Sequence, residues 1–266
     1  ISIVRDLIKL SNPKDNEKTI FIWPEGIIQN IPQKDYDRYK ILFSESFSKD
    51  HFIIIGTNNQ SVINEKKKYF NSLSIYDNEF SLLEIYNKIN LVPFGEFLPI
   101  ENILKKIGLK SLTNNYQSFS KGNKREIIEI KKNKFSLKIL PLICYEIIYS
   151  GRLFENSNFD LIVNISEDGW FGNSIGPKQH FDHSIFRAIE SGKYVVRSSN
   201  NGIAAIINPL GIIENSIKFG RSGYIDLEEK KEIQSTIFSI YGNKIFGLLI
   251  LVYIFIIFSF NKIKDE

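Results

Sequence analysis

A single cysteine, Cys144, stands in 266 residues, and methionine is missing altogether. One thiol forms no intramolecular disulfide, so covalent staples play no part in the fold and cysteine pairing gives no reading of the compartment. Without an initiator methionine, the chain is expected to be a piece of a longer reading frame. Its first residues, "ISIVRDLIKLSNPKDNEK", have neither the charged start nor the long apolar core of a secretory leader. Whatever targets the protein is therefore expected to lie ahead of these residues, and residues 1–18 are read as a linker from that missing segment. Charge of one sign is also lacking: 34 basic residues face 30 acidic ones, for a net charge of +4. No strong field favours nucleic acid, no aromatic-basic recognition motif is present, and a nucleic-acid partner is not expected.

Long apolar runs are absent until the end of the chain. From Ile245 to Phe260, "IFGLLILVYIFIIFSF" holds sixteen residues without a charge, between Lys244 on one side and Lys262 and Lys264 on the other. That is short of the ~20 residues that span a bilayer, although "IFSIYGN" just upstream can lengthen it. A buried core helix is the alternative. A run apolar on every side and ended by lysines reads better as a transmembrane helix over residues 240–262.

The whole chain, 43% hydrophobic, is long enough and apolar enough to bury a sizeable core. Strand-length runs rich in Val, Ile and Phe recur: "TIFIWP", "HFIIIGT", "YFNSLSIY", "KFSLKILPLI", "DLIVNIS", "YVVRSS", "GIAAIINP" and "SGYIDL". Helical patterns fall between several of them, in "QKDYDRYKILFSESFSKD", "IENILKKIGL", "YEIIYSGRLFENS" and "KQHFDHSIFRAIESG". This alternation predicts an α/β layered domain over residues 19–230. The lysine-rich stretches "NEKKKYF" and "KGNKREIIEIKKNK" read as solvated hairpins, with contact to anionic lipid headgroups as the functional alternative.

Three reactive residues stand at or just beyond apolar runs: Glu25 after "TIFIWP", Lys88 within "LLEIYNKINLVPFGE", and Cys144 after "LKILPLI". Sites in open α/β sheets form at such strand ends. A thiol near its ordinary pKa of ~8.5 is mostly protonated at neutral pH, so a nucleophilic cysteine needs a base and a nearby positive group. A glutamate can supply the first. An ammonium can favour the thiolate and donate to the oxyanion formed when a carbonyl is attacked. Taken singly, each has an ordinary reading: a lone buried cysteine is usually inert, Glu25 could cap a helix, and Lys88 could lie on the surface.

"WPEG", "NKINLVPFGEFLP" and "LICYEI", in that order, resemble the Glu, Lys and Cys motifs of the nitrilase (carbon-nitrogen hydrolase) superfamily. More narrowly, "YNKINLVPFGEFLP", "ICYEI" and "SEDGWFGNSIGPKQH" with "RAIESGKYVVRSSNNGIAAIINPLG" resemble the periplasmic domain of the apolipoprotein N-acyltransferase family, from about Thr19 to about Gly223. The resemblance implies a four-layer α-β-β-α nitrilase-type sandwich followed by one transmembrane helix, with several membrane helices ahead of the domain to which residues 1–18 would be the linker. It implies Glu25 as general base, Lys88 as oxyanion stabiliser and Cys144 as the nucleophile that becomes acylated. Glu96 matches a second essential glutamate, Tyr145 and Glu146 match residues that shape the site, and the Tyr145 amide is the implied second oxyanion donor.

The implied reaction moves a fatty acyl chain from a phospholipid to the N-terminal amine of diacylglyceryl-cysteine in apolipoproteins. The partners are then a phospholipid donor, a diacylglyceryl-apolipoprotein acceptor and the lipid bilayer, with no cofactor and no metal. The implied location is the bacterial inner membrane, with the catalytic domain on the periplasmic side. Two departures stand out: Asn90 where many relatives have histidine, and Glu167 where asparagine is common.

Trp170 and Phe171, in the glycine-flanked "DGWFGNSIG", read either as core plugs or as a substrate-contacting lid. Asn200 and Asn201 of "SNNG" read as a turn or, by resemblance, as lining of the site. His180 and His183 form H-x-x-H around Asp182, but two ligands on one face still need a third, and a metal site is set aside. Two other function classes remain: an amidase or nitrilase that transfers its acyl group to water, and a non-catalytic envelope interaction protein.

Overall fold

A computed structural model describes residues 2–28, 36–99, 118–132, 135–151, 153, 158–230, 233–234 and 236–264 of the chain. The helix expected over "IENILKKIGL" lies outside the described residues. Among them, two sheets stack face to face. The first has the order β1 (Thr19–Ile22), β2 (His51–Ile63), β3 (Lys66–Asp77), β4 (Leu82–Asn87). The second runs β10 (Ile213–Ile217), β9 (Ala204–Ile207), β8 (Tyr194–Asn200), β7 (Leu161–Glu167), β6 (Phe135–Ile143), β5 (Ile128–Lys132). β1 is parallel to β2, and β6, β7 and β8 are mutually parallel.

Side-chain alternation explains why the sheets take helices on their outer faces. Along β2, Phe52 and Ile54 point into the core between the sheets, while Ile53 and Ile55 point outward. On that outer face they meet Val4 and Ile8 of α1 (Ser2–Ser11) and Phe43 of α2 (Tyr36–Ser46). The second sheet repeats the device: Leu161, Val163 and Ile165 of β7 face inward, whereas Ile162 meets Phe181 and Ala188 of α3 (Gly176–Ser191). A strand buried on both faces cannot alternate with polar residues, which accounts for the continuous "HFIII" and "LIVNI" runs. The layers are thus helix, sheet, sheet, helix. α1 lies within the segment read as a linker and packs as part of the outer layer.

Two expected elements differ. "YEIIYSGRLFENS" forms only a 3-10 turn, Cys144–Ile148, in its described part. "SGYIDL" forms no ladder, although Ile225 and Leu227 pack against the inter-sheet core as extended chain.

The helix read over 240–262 is interrupted at its start. A short α4 (Ile237–Tyr241) begins at Thr236, whose Oγ1 accepts from the Ser239 amide at 3.0 Å, and ends at Gly242 with φ +52°. α5 (Lys244–Lys264) follows, and its large apolar side chains from Phe246 to Phe260 are exposed. No helix among the described residues is long and apolar enough to cross a membrane. Sixteen uncharged residues extend roughly 24 Å at 1.5 Å each, short of a ~30 Å hydrocarbon core.

Candidate active site

β1 and β4 run in the same direction within the first sheet, and the residues that follow them meet those that follow β6 and β7 of the second. After β1 the backbone stays on β2: the Trp23 amide donates to Ile54 O at 2.8 Å and the Gly56 amide to Pro24 O at 3.2 Å. Gly56 has no alternative there, because a Cβ would sit 2.4 Å from the Cα of Glu25. The buried Glu25 carboxylate accepts from Asn71 Nδ2 at 2.6 Å on Oε1 and from the Glu167 amide at 2.8 Å on Oε2.

Lys88 leaves β4 with its amide on Asn71 O at 2.8 Å and its side chain only 1% exposed. A buried ammonium needs charged partners. Its Nζ donates to Glu96 Oε1 at 2.9 Å and lies 3.8 Å from Glu25 Oε1. Burial works to lower the Lys88 pKa, but Cys144, Glu25 and Glu96 outweigh it and hold the pKa above the ordinary lysine range. Glu96 is itself fixed by a tight turn, with Phe94 at φ +62°, and its Oε2 accepts from the Val92 amide at 2.8 Å. Asn71 Nδ2 also donates to Glu96 Oε1 at 2.8 Å, so one amide group ties both glutamates.

Cys144 follows the last residue of β6 and has φ +49°, the left-handed region in which a non-glycine residue is strained. It packs against the inter-sheet core, and its thiol is pushed up to about 12, chiefly by burial and then by the Glu25 charge, against the pull of Lys88 and a Ser166 hydrogen bond. Burial likewise pushes the Glu25 carboxyl up, against Lys88 and Asn71. The resting thiol is therefore protonated, beside a carboxylate of raised proton affinity and a permanent cation. This arrangement can move a proton from sulfur to Glu25 as sulfur attacks an electrophile.

Glu146 joins the Cys144 turn to the Lys88 loop. Its fully buried carboxylate accepts from the Tyr86 hydroxyl at 2.9 Å, the Ile89 and Asn90 amides at 3.0 Å each, Arg125 Nη2 at 2.7 Å and the Ile143 amide at 3.0 Å. Asn90 Oδ1 accepts from the same Arg125 Nη2 at 2.7 Å. Tyr145 stacks edge-on with Tyr149, centroids 5.8 Å apart. Its amide lies in the first turn of the 3-10 segment, where donors have no acceptor within the turn.

The remaining expected residues lie around this cluster and not in it. Trp170 is 80% exposed and Phe171 half-exposed in a 3-10 turn, with the Phe171 ring 5.5 Å from that of His180. Asn200 and Asn201 both donate to the Glu167 carboxylate, Asn201 at 3.1 Å, while the Glu167 amide serves Glu25. His180 is used between Asp168 Oδ1, 2.9 Å from Nδ1, and the Cys144 carbonyl, 3.1 Å from Nε2.

Sequence reasoning missed Asn71, Asp168, Arg125 and Tyr86. A signal existed for Asn71: it shares the inward face of β3 with Leu73 and Ile75, where a polar residue demands a partner. For Asp168, bonded to a histidine twelve positions on, the sequence holds no comparable mark.

Residues 39–226 match the carbon-nitrogen hydrolase family. Among curated relatives, the apolipoprotein N-acyltransferase of Bradyrhizobium diazoefficiens is 35% identical over 85% of this chain and 42% of its own length. That of Rickettsia prowazekii is 34% identical over 93% of this chain and 49% of its own. The chain spans about half the length of the curated relatives it matches. Among solved structures, a mutant amidase of the nitrilase superfamily from Nesterenkonia AN1 is similar with TM-score 0.54 and 13% identity, over 84% of this chain and 80% of that one. Saccharomyces cerevisiae Nit3 is similar with TM-score 0.54 and 15% identity, over 83% and 79%. Two stacked sheets, their flanking helices and this match over most of the length agree: the chain belongs to the carbon-nitrogen hydrolase family.

Proposed function

We propose that this chain is the catalytic domain of an N-acyltransferase that moves a fatty acyl group from a phospholipid to the N-terminal amine of a diacylglyceryl-apolipoprotein, through a thioester on Cys144. The observation that carries the chemistry is the buried Lys88 ammonium, 3.8 Å from Glu25 and 2.9 Å from Glu96, coupled to the Cys144 thiol. The relatives' names supply N-acyl transfer to an apolipoprotein, and the phospholipid donor follows from the resemblance of the site motifs.

Cys144 Sγ attacks the ester carbonyl and its proton passes to Glu25. Lys88 and the Tyr145 amide donate to the oxyanion. Collapse expels the lysophospholipid, which takes the proton from Glu25. The acceptor amine then attacks the thioester and gives its proton to Glu25, which returns it to the leaving sulfur. Glu96 orients Lys88, Glu146 holds the nucleophile's turn, and Trp170, Phe171, Asn200 and Asn201 line the substrate path. No metal or organic cofactor takes part in these steps.

Substrates of this kind reside in a bilayer, and the exposed apolar α5 supports attachment there. In this reading α5 crosses the inner membrane, with local thinning and its end lysines making up the missing length, and the domain lies on the periplasmic side. The test is intact mass after incubation of detergent-solubilised protein with phospholipid alone. One acyl group, labile to hydroxylamine, is expected on Cys144, to be discharged by a peptide beginning with diacylglyceryl-cysteine. Discharge to water without preference for the peptide would make the chain an amidase-like hydrolase. Absence of any acyl-enzyme while transfer to the peptide proceeds would remove the thioester.

A further inference from the structure

We propose that the tip of the β2–β3 hairpin is a docking element for a bilayer surface rich in anionic headgroups. The two strands pair without interruption from Phe52 and Asp77 to Ile63 and Lys66. Asn71, bonded to the two site glutamates, pairs with Asn58, and both strands continue past it. Five further residues at ~3.4 Å each carry the tip roughly 17 Å beyond the site, in the direction in which β1 and β4 end. Asn64 and Glu65 close the hairpin with φ +51° and +62°, the two-residue left-handed turn that matches strand twist and keeps such a projection straight.

The chemistry of the tip fits one occupant. Val62 is 65% and Ile63 39% exposed, opposite Lys67 and Lys66 respectively, with Lys68 next in line. Both faces of the ribbon thus pair an aliphatic side chain with an ammonium. Three lysines against Glu65 leave the tip net positive. Exposed Lys121 and Lys124 lie on the segment whose Ser120 amide bonds Tyr69 O at 2.6 Å. Phe94, Trp170 and Ile175, all exposed, follow β4 and β7 at the same end. Aliphatic residues entering the headgroup layer beside lysines that meet lipid phosphate is the pattern of an interfacial contact. The purpose rests on the acyl-transfer reading, since docking presents the site to lipid-borne substrates, but the contact itself can be measured without catalysis.

The test places a polarity-sensitive fluorophore at Val62→Cys, in a Cys144→Ala background, on the whole chain reconstituted in vesicles. Lys49→Cys, exposed before the opposite end of β2, serves as the control position. In vesicles of phosphatidylcholine with one part in three phosphatidylglycerol, a blue shift and quenching by headgroup nitroxide are expected at Val62→Cys and not at Lys49→Cys. Lys66→Gln, Lys67→Gln and Lys68→Gln together are expected to lower the docked-to-undocked ratio on the order of a hundredfold. Equal signals in pure phosphatidylcholine, or none in either vesicle, would overturn the proposal. So would a blue shift in detergent that grows with protein concentration, which would identify a second copy as the occupant. Failure of the acyl-enzyme experiment would leave this readout untouched, and failure here would leave the acyl-enzyme intact.

Discussion

Nε2 of His180 lies 3.1 Å from the carbonyl oxygen of Cys144. A carbonyl only accepts, so this nitrogen carries a proton, and the other ring nitrogen lies 2.9 Å from Asp168 Oδ1. Asp168 is held in turn by Ser166 at 2.7 Å, Arg197 at 2.7 Å and Ser199 at 3.1 Å. Gly202 belongs to the same arrangement, since a Cβ there would meet Asp168 Oδ2 at 2.2 Å. The strained φ of Cys144 is therefore pinned through one imidazole to a buried polar network of the second sheet.

His180→Ala is expected to remove one bond from the Cys144 carbonyl and one from Asp168 Oδ1, which keeps Ser166, at about 0.5–1.5 kcal/mol for each bond lost. Thermal unfolding would show the loss. Single-turnover acylation of Cys144 should fall further than that of a core variant of equal destabilisation. His180→Gln, which keeps one donor, should recover part of it. Acylation at the wild-type rate in His180→Ala would separate the network from the nucleophile.

Asn71 gives one amide proton to Glu25 at 2.6 Å and one to Glu96 at 2.8 Å. Both bonds favour the charged carboxylates, and burial already raises the proton affinity of Glu25. Asn71→Ala should raise it more. If Glu25 must be ionised to accept the thiol proton, the acidic limb of the pH–rate profile moves to higher pH, and moves further in Asn71→Asp, where a third carboxylate joins the cluster. A profile that drops in height without moving would reduce Asn71 to a packing role.

Glu146→Gln sets an N–H group among donors. Arg125 would lose its charged partner at 2.7 Å, and since Oε1 takes Arg125 and the Ile89 and Asn90 amides while Oε2 takes the Ile143 amide, one of these two sets would face the new N–H₂ group. Breaking a buried pair of this kind costs about 3–5 kcal/mol. A fall in the urea midpoint with unchanged slope, together with loss of acylation, is the expected result. Full stability would mean that the Cys144 turn and the Lys88 loop are held apart from this carboxylate.

What the sequence disclosed followed from period and place. "HFIIIGT" is β2 and "KQHFDHSIFRAIESG" buries one face as α3, so an α/β layered domain is legible in the alternation of such runs, while which of Phe52 to Ile55 faces which layer shows only in the packing. Glu25, Lys88 and Cys144 stand at strand ends, where chemistry-bearing residues are conspicuous. Their supports do not announce themselves: Asn71 lies 46 positions from Glu25, and Arg125 reaches Glu146 from 21 positions away. Helical spacing in "YEIIYSGRLFENS" was overridden locally, because Cys144 starts in the left-handed region and Glu146 is drawn inward to bind five donor groups. Glu167, an asparagine in many relatives by resemblance, shows its consequence only in space, where its amide serves Glu25 and its carboxylate holds the Asn200–Asn201 turn.

Glu25→Gln separates the electrostatics of the site from its catalysis, because the two move in opposite directions. The folded-state pKa of Glu25 lies above its unfolded value, with burial as the main cause. Its contribution to stability is then fully present below the unfolded pKa and is lost as pH rises through the folded one. Glutamine does not titrate, so the variant should be more stable than wild type at neutral and alkaline pH, with the difference shrinking as pH falls toward the ordinary carboxylate range. The Glu25 charge is also, after burial, the largest influence raising the Cys144 thiol to about 12. Removing it should lower the thiol pKa, visible as thiolate absorbance appearing at lower pH, whereas Lys88→Met should move it the other way. Yet acylation should fall by about 10²–10⁴-fold, the usual worth of a positioned general base. A stabler protein with a more acidic thiol and almost no turnover is the signature of Glu25 as proton acceptor. A thiol pKa that rises in Glu25→Gln, or turnover that survives, would move the base elsewhere.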